Sequence, residues 1–219
     1  MPIRPTLNKD LPLVTTIEAI GTIFGVICVI LYTRQNILSW PAGLIQVALF
    51  IVVFYEAKLY SDLILHVIYV GLQIYGWYHW AHGGASGDAL PVTRTSRSEL
   101  TRWIIVGVVG SIIVGALMSN LTDAAAPYPD AAIAVVSLIA QWLITRKKLE
   151  SWLFWIFVDI VAIGVYLSKD LYYLTALYVL FLALAIVGYR SWRRDHRTLH
   201  RDERDDTLRA DPREVRAAS

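Results

Sequence analysis

Residues 31 to 80 of this 219-residue chain lie on residues 143 to 192 at a constant offset of 112, without a gap. Identities along the overlay are Leu31/Leu143, Thr33/Thr145, Arg34/Arg146, Ser39/Ser151, Trp40/Trp152, Ile51/Ile163, Val53/Val165, Leu59/Leu171, Tyr60/Tyr172, Leu65/Leu177, Val67/Val179, Ile74/Ile186, Gly76/Gly188 and Trp80/Trp192. Apolar residues coincide by chance, but Trp, Arg and Gly at fixed separations rarely do, so the chain is a duplication and must fold as two similar units. Composition then sets the solvent. With 56% hydrophobic residues and a mean hydropathy of +0.51, the apolar residues fall in blocks that suit a hydrocarbon layer ~30 Å thick, which takes roughly 17 to 25 helical residues to cross. A duplicated membrane bundle is the architecture of a transporter, because two similar units can rock about a site at their interface.

The hydrophobic pattern predicts an all-α integral membrane protein with one membrane domain over residues 1–192 and a charged tail over 193–219. Helices are expected near Leu13–Tyr32, Trp40–Tyr55, Tyr60–Trp80, Trp103–Asn120, Asp130–Ile144, Trp152–Leu167 and Leu171–Trp192. Thr15 and Glu18 have capping-box spacing, and Pro129 with Asp130 offers a start for the fifth helix. Glu18 aligns with Asp130 at the repeat offset, which suggests helix-end roles for both acids. The polar stretch before the first apolar run has no clear cleavage site after it, so the first helix is expected to be retained.

Seven transmembrane helices account for the odd one out. A three-helix unit ends on the side opposite its start, so a second copy in the same orientation needs one additional crossing. Repeat one covers about 13–80, the linker helix about 103–120 and repeat two about 130–192, giving a 3+1+3 parallel repeat of the kind found in SWEET transporters. On one side lie Arg34, Arg94, Arg97, Arg102, Arg146, Lys147, Lys148 and Arg190, and on the other only Arg4, Lys9, Lys58 and Lys169. The positive-inside rule makes the first side cytoplasmic, with the N-terminus outside and the C-terminus inside.

Several functions are disfavoured. The single cysteine, Cys28, allows neither an internal disulfide nor a Cys-rich metal site, and no metal or cofactor is expected. The segment Ala81 to Glu99, with its HGGASG run and basic cluster, reads as a flexible connection and lacks a phosphate-loop pattern. From Arg193 the tail alternates eight arginines with seven acids, so it is expected to be disordered or a frayed helical extension, with no nucleic-acid partner.

A charged group near the centre of a spanning helix costs ~2.5 to 3.5 kcal/mol on insertion scales, so it faces an interior, a cavity or a partner. Asp159 is such a group, seven residues beyond Trp152, with Trp152, Trp155 and Asp159 at i, i+3 and i+7. Gln73, Trp77 and Trp80 stand at i, i+4 and i+7 on the third helix, and Gln46 on the second reaches a comparable depth. Two Trp-lined faces and three polar groups suit a flat aromatic ligand carrying hydroxyls, and a cation on it would gain from Asp159 and the indoles. Structural readings stand beside these. Trp40, Trp80, Trp152 and Trp192 are expected to form an aromatic belt at the cytoplasmic helix ends. Gln46 and Gln73 could bond neighbouring helices, His66 and Tyr69 could line the outer path or satisfy an interhelical contact, and Asp159 could be a protonated or paired acid.

At these residues the chain resembles the PnuC family of bacterial vitamin transporters. The resemblance covers Ile17 to Trp192 and rests on IEAIGTIFGVICVIL, SWPAGLIQVALFIVVFYEAKLYSDL, LQIYGWYHW and TRKKLESWLFWIFVDIVAIGVYL, with the YGWYHW ending and WLFWIFVD the most specific parts. It implies a SWEET-like fold in the bacterial inner membrane, a homotrimer, and facilitated uptake of nicotinamide riboside, an NAD precursor, without ATP or ion coupling. A cytoplasmic kinase would trap the riboside by phosphorylation. The family's binding positions map onto Gln46, Gln73, Trp155 and Asp159, and also onto Trp77 and Tyr178. The position of Asp159 can be Asn in nicotinamide riboside carriers, so an acid here leaves room for thiamine; relatives that carry riboflavin or deoxynucleosides widen the field. An enzyme pairing Asp159 with His66 is disfavoured, since helical rise puts these residues at depths differing by roughly 10 Å. A receptor or scaffold is the remaining alternative.

Overall fold

The computed structural model describes residues 11–84, 90–122 and 126–209. Expectations for the first ten residues, for 85–89 of the glycine-rich connection and for the tail beyond 209 fall outside the described residues. Seven helices follow one another: α1 (Leu11–Thr33), α2 (Ser39–Glu56), α3 (Tyr60–His82), α4 (Arg97–Leu121), α5 (Pro127–Thr145), α6 (Ser151–Ser168) and α7 (Tyr172–Arg209). Six of them are long and apolar enough to cross a membrane. The exception is α3, which at 23 residues is as long as α1 but carries Asp62, His66, Gln73 and His79.

Several helix boundaries and the α3–α4 connection differ from the sequence expectation. α1 already includes Leu11, so Thr15 lies within the helix and is not its cap. α4 starts six residues before Trp103, because the Ser96 hydroxyl accepts the Glu99 amide at 3.2 Å in an S-x-x-E arrangement. α7 continues as helix through Arg209. The end of the α3–α4 connection is not a flexible tether: Thr93 donates its amide to the Lys147 carbonyl (3.1 Å) and accepts the Leu149 amide (2.9 Å), with Val92 buried beside them.

The order of packing closes a ring. α1 packs on α2 and α7, α3 on α2 and α5, and α6 on α5 and α7, while α4 sits outside against α5. Around this ring α1 faces α5, α2 faces α6 and α3 faces α7. The outer surface is apolar, as on α4, where Ile104, Ile105, Val108 and Ile112 are exposed; in a membrane such a face meets lipid.

The duplication recurs in the backbone. The non-glycine residues with left-handed φ are Gln35 (53°), Lys58 (58°), Lys147 (47°) and Asp170 (56°), and they pair at the repeat offset, 35 with 147 and 58 with 170. The α1–α2 and α5–α6 turns close with the same bonds: the Asn36 amide to the Leu31 carbonyl and the Lys148 amide to the Leu143 carbonyl, each 3.0 Å. These are the six-to-one bonds of helix-terminating turns that satisfy carbonyls left over at a helix end.

Trp40, Trp80, Trp152 and Trp192 do not form the expected interface belt. They are 0–2% exposed and make the core of the basic end, the end that carries Arg34 and Arg146. Trp40 meets Trp80 edge-on at 5.1 Å and Trp152 meets Trp192 edge-on at 5.4 Å, with Trp80 and Trp192 joining the pairs at 5.9 Å. The reason is glycine at Gly76 and Gly188. The Trp40 ring occupies the space of a Cβ at Gly76, and the Trp152 ring comes within 2.5 Å of a Cβ at Gly188. The indoles therefore lie down on α3 and α7 and do not point outward to lipid headgroups. Trp80 then donates its Nε1 proton to the Ile144 carbonyl (3.0 Å) and Trp192 donates its own to the Tyr32 carbonyl (2.9 Å). Positions 32 and 144 are equivalent, so each repeat reaches into the other through the same bond.

Candidate functional site

Buried polar side chains gather inside the ring in two groups. The first joins three helices: Tyr32 on α1 donates its hydroxyl to Gln73 Oε1 on α3 at 2.9 Å, and Gln141 Nε2 on α5 donates to the Tyr32 oxygen at 3.2 Å. All three residues are 4% exposed. Gln73 can lie here because Gly43 on α2 has no side chain; its amide fills the space a Cβ would take. At the equivalent positions of the second repeat the sizes are exchanged, with Trp155 in place of Gly43 and Ala185 in place of Gln73. Trp155 packs against the core that contains Ala185.

The second group centres on Asp159 of α6, which is 3% exposed. Among the described residues its carboxylate has neither a hydrogen bond nor an ion pair; it interacts electrostatically with Tyr178 of α7. Tyr178 packs beside Tyr166 at 5.2 Å and edge-on to Phe181 at 5.9 Å. A carboxylate held in such surroundings without a protein cation is costly, and a ligand that supplied positive charge would relieve that cost.

The remaining candidates are placed differently. Gln46 is half-buried with its amide 3.4 Å from the position of a Cβ on Gly25, so it faces α1. Trp77 is 42% exposed. The inward arc of α3 is Gln73, Gly76 and Trp80, all buried, and at 100° per residue Trp77 falls on its flank. The structure does not bring Trp77 into either polar group. His66 is bound within its own helix, Nδ1 lying 2.9 Å from the Asp62 carbonyl oxygen, and is boxed by Phe50, Phe54 and Tyr69. Tyr69 donates to Ser137 Oγ at 2.6 Å, a satisfied contact between α3 and α5.

Sequence reasoning missed Tyr32 and Gln141. Gln141 had a signal: Ser137, Gln141 and Thr145 recur at i, i+4 and i+8 in an apolar helix, and all three prove buried. Polar residues at that spacing mark an inward face. Tyr32 had none, since a tyrosine one residue from a helix end is ordinarily an interface residue.

A closed ring of membrane-length helices, with polar side chains buried inside and an apolar exterior, defines a multi-pass membrane protein of the transporter class. A family model described as the nicotinamide mononucleotide transporter matches residues 15–194, and the chain belongs to that family. The nicotinamide riboside transporter PnuC of Escherichia coli is 28% identical over 201 residues, covering 80% of this chain and 84% of the relative. The riboflavin/roseoflavin transporter RibM of Streptomyces davaonensis is 27% identical over 187 residues, covering 82% and 87%. Among solved structures, the crystal structure of the vitamin B3 transporter PnuC superposes with a TM-score of 0.66 at 25% identity, covering 82% of this chain and 81% of that one.

Proposed function

We propose that this protein carries nicotinamide riboside across the bacterial cytoplasmic membrane by facilitated diffusion, with Asp159, Trp155, Tyr178, Gln73 and Gln46 forming the binding site. The observation that carries the reading is the buried Asp159 carboxylate, which has no cation partner among the described residues and interacts electrostatically with Tyr178. Nicotinamide riboside pairs a pyridinium charge with a ribose, so it offers a cation to the acid, a flat ring to Trp155 and hydroxyls to the amides. The names of the relatives from E. coli and S. davaonensis support a vitamin-sized aromatic cargo. Thiamine is the second reading, favoured by an acid where an amide would suffice for a riboside.

The mechanism that fits is alternating access in a SWEET-like 3+1+3 parallel repeat: residues 13–80 and 130–192 rock about the site, and α4 serves as the linker crossing. The paired left-handed turns and the reciprocal Trp80 and Trp192 bonds support this pseudo-two-fold arrangement. The eight-to-four Lys/Arg asymmetry supports an outside N-terminus and an inside C-terminus. A homotrimer and withdrawal of the riboside by a cytoplasmic kinase complete the reading on family grounds.

Saturable uptake of nicotinamide riboside into proteoliposomes without ATP or an imposed ion gradient is the expected result, with thiamine and riboflavin as competitors. Uptake that appears only under a proton or sodium gradient would reject facilitation, and uptake of thiamine alone would replace the substrate.

A further inference from the structure

We propose that Tyr32 is the gate at the basic end of the ring, and that its hydroxyl holds this end shut by bridging helices on opposite sides of the path. The geometry is that of a crossbar. α1 and α5 face each other across the ring and do not pack together, yet the Tyr32 hydroxyl accepts a hydrogen bond from Gln141 of α5. A side chain that joins diametrically opposed helices must cross the axis between them. Its ring is held edge-on by Trp40 (5.2 Å) and Trp80 (5.8 Å), and its carbonyl receives Trp192. The Tyr32 side chain thus runs from the tryptophan core at the basic end up to Gln73, and anything moving from the level of Gln73 to the basic end has to displace it.

Two further features belong to a closure that opens. The bar is single: the residue equivalent to Tyr32 is Ile144 and the one equivalent to Gln141 is Val29, neither of which can make the bond. The seal beneath it is built from equivalent residues of the two repeats. Ser39 Oγ, Trp40 Nε1, Ser151 Oγ and Trp152 Nε1 are buried without hydrogen-bond partners among the described residues, two equivalent pairs of polar atoms.

The protein carries its own reporter. Cys28, its only cysteine, sits one turn before Tyr32, is 3% exposed and donates its thiol to the Ser39 carbonyl at 3.2 Å. The experiment is the rate at which a membrane-impermeant thiol reagent modifies Cys28 from each face of oriented vesicles. Tyr32→Phe keeps the ring against Trp40 and Trp80 and removes only the hydroxyl. It removes the bonds to both Gln73 and Gln141 and should speed labelling roughly tenfold or more from the basic side, the population change expected for loss of at least one such bond, and leave labelling from the other side slow. Gln141→Leu cuts only the bond that crosses to the opposite helix and should act in the same direction; it decides the matter if Tyr32→Phe does not fold. An unchanged rate, or equal acceleration from both faces, overturns the gate.

The inference needs from the transport reading only that the ring conducts a solute. Nicotinamide riboside uptake in the same vesicles keeps the two apart. Accelerated labelling without wild-type uptake sinks the substrate and leaves the gate, whereas uptake with unaltered labelling sinks the gate alone.

Discussion

The two repeats agree at the tryptophan core and differ at the candidate site. At the basic end Trp40 lies on Gly76 as Trp152 lies on Gly188, and the flanking turns share their hydrogen bonds and left-handed residues. One layer deeper the correspondence breaks: Gly43 with Gln73 faces Trp155 with Ala185, Val47 stands where the other repeat has Asp159, and His66 stands where it has Tyr178. A frame of large rings on glycines tolerates almost no substitution, because interiors are close-packed and any added atom must displace a neighbour. Under the proposed function the layer within it meets one asymmetric ligand, and two identical halves would present the same chemistry twice. The comparison teaches that the candidate site is found where the duplication fails.

The largest effect should come from the shared frame. Trp40→Ala and Trp152→Ala each remove a fully buried indole, which typically costs about 3 to 5 kcal/mol. Thermal unfolding in detergent should therefore show two similar losses. A large loss in one variant and little in the other would break the equivalence of the two halves.

The asymmetric layer should respond in binding and leave folding intact. Asp159→Asn is expected to raise the Kd for nicotinamide riboside by roughly 10-fold to 100-fold, the equivalent of one charge-assisted contact worth ~1.5 to 3 kcal/mol. Calorimetry beside a melting curve checks both halves of the statement. Unaltered affinity would remove this carboxylate from the site, and a lowered melting point with affinity preserved would make it structural.

The smallest effect sharpens the comparison of the turns. Lys147 and Gln35 occupy the same left-handed position, but Lys147 is 5% exposed and lies 4.6 Å over the Trp80 ring. Burial pushes its ammonium down to about 8 from the usual 10.5. Between those values the unfolded chain binds more protons than the folded one, so stability rises with pH across this window and levels off above it. Lys147→Gln copies the first repeat into the second and should flatten that rise; a melting curve with the same pH slope in wild type and variant would remove Lys147 as its cause.

The second and third helices were legible to within two residues, because long apolar blocks bounded by polar turns have few other ways to be arranged. The start of α4 was legible in principle from Ser96 and Glu99, a signal hidden by the basic cluster around it. Asp159 was legible because a charge in an apolar helix is expensive wherever the helix ends up. The placement of Trp77 on the flank of α3 was not legible, since i, i+4 spacing leaves open which flank of a helix turns inward.

By itself the sequence determined the duplication, the helical membrane class and the residues whose polarity demands an interior, for these follow from local hydropathy and from residue identity at a fixed offset. Only the tertiary structure decided that the end tryptophans form a core and not a belt, that α1 faces α5 across a ring, and that Tyr32 spans the gap. Those outcomes depend on which helices meet and on what fills the space above Gly43, Gly76 and Gly188. Packing between segments far apart in the chain leaves no periodic mark in either segment alone.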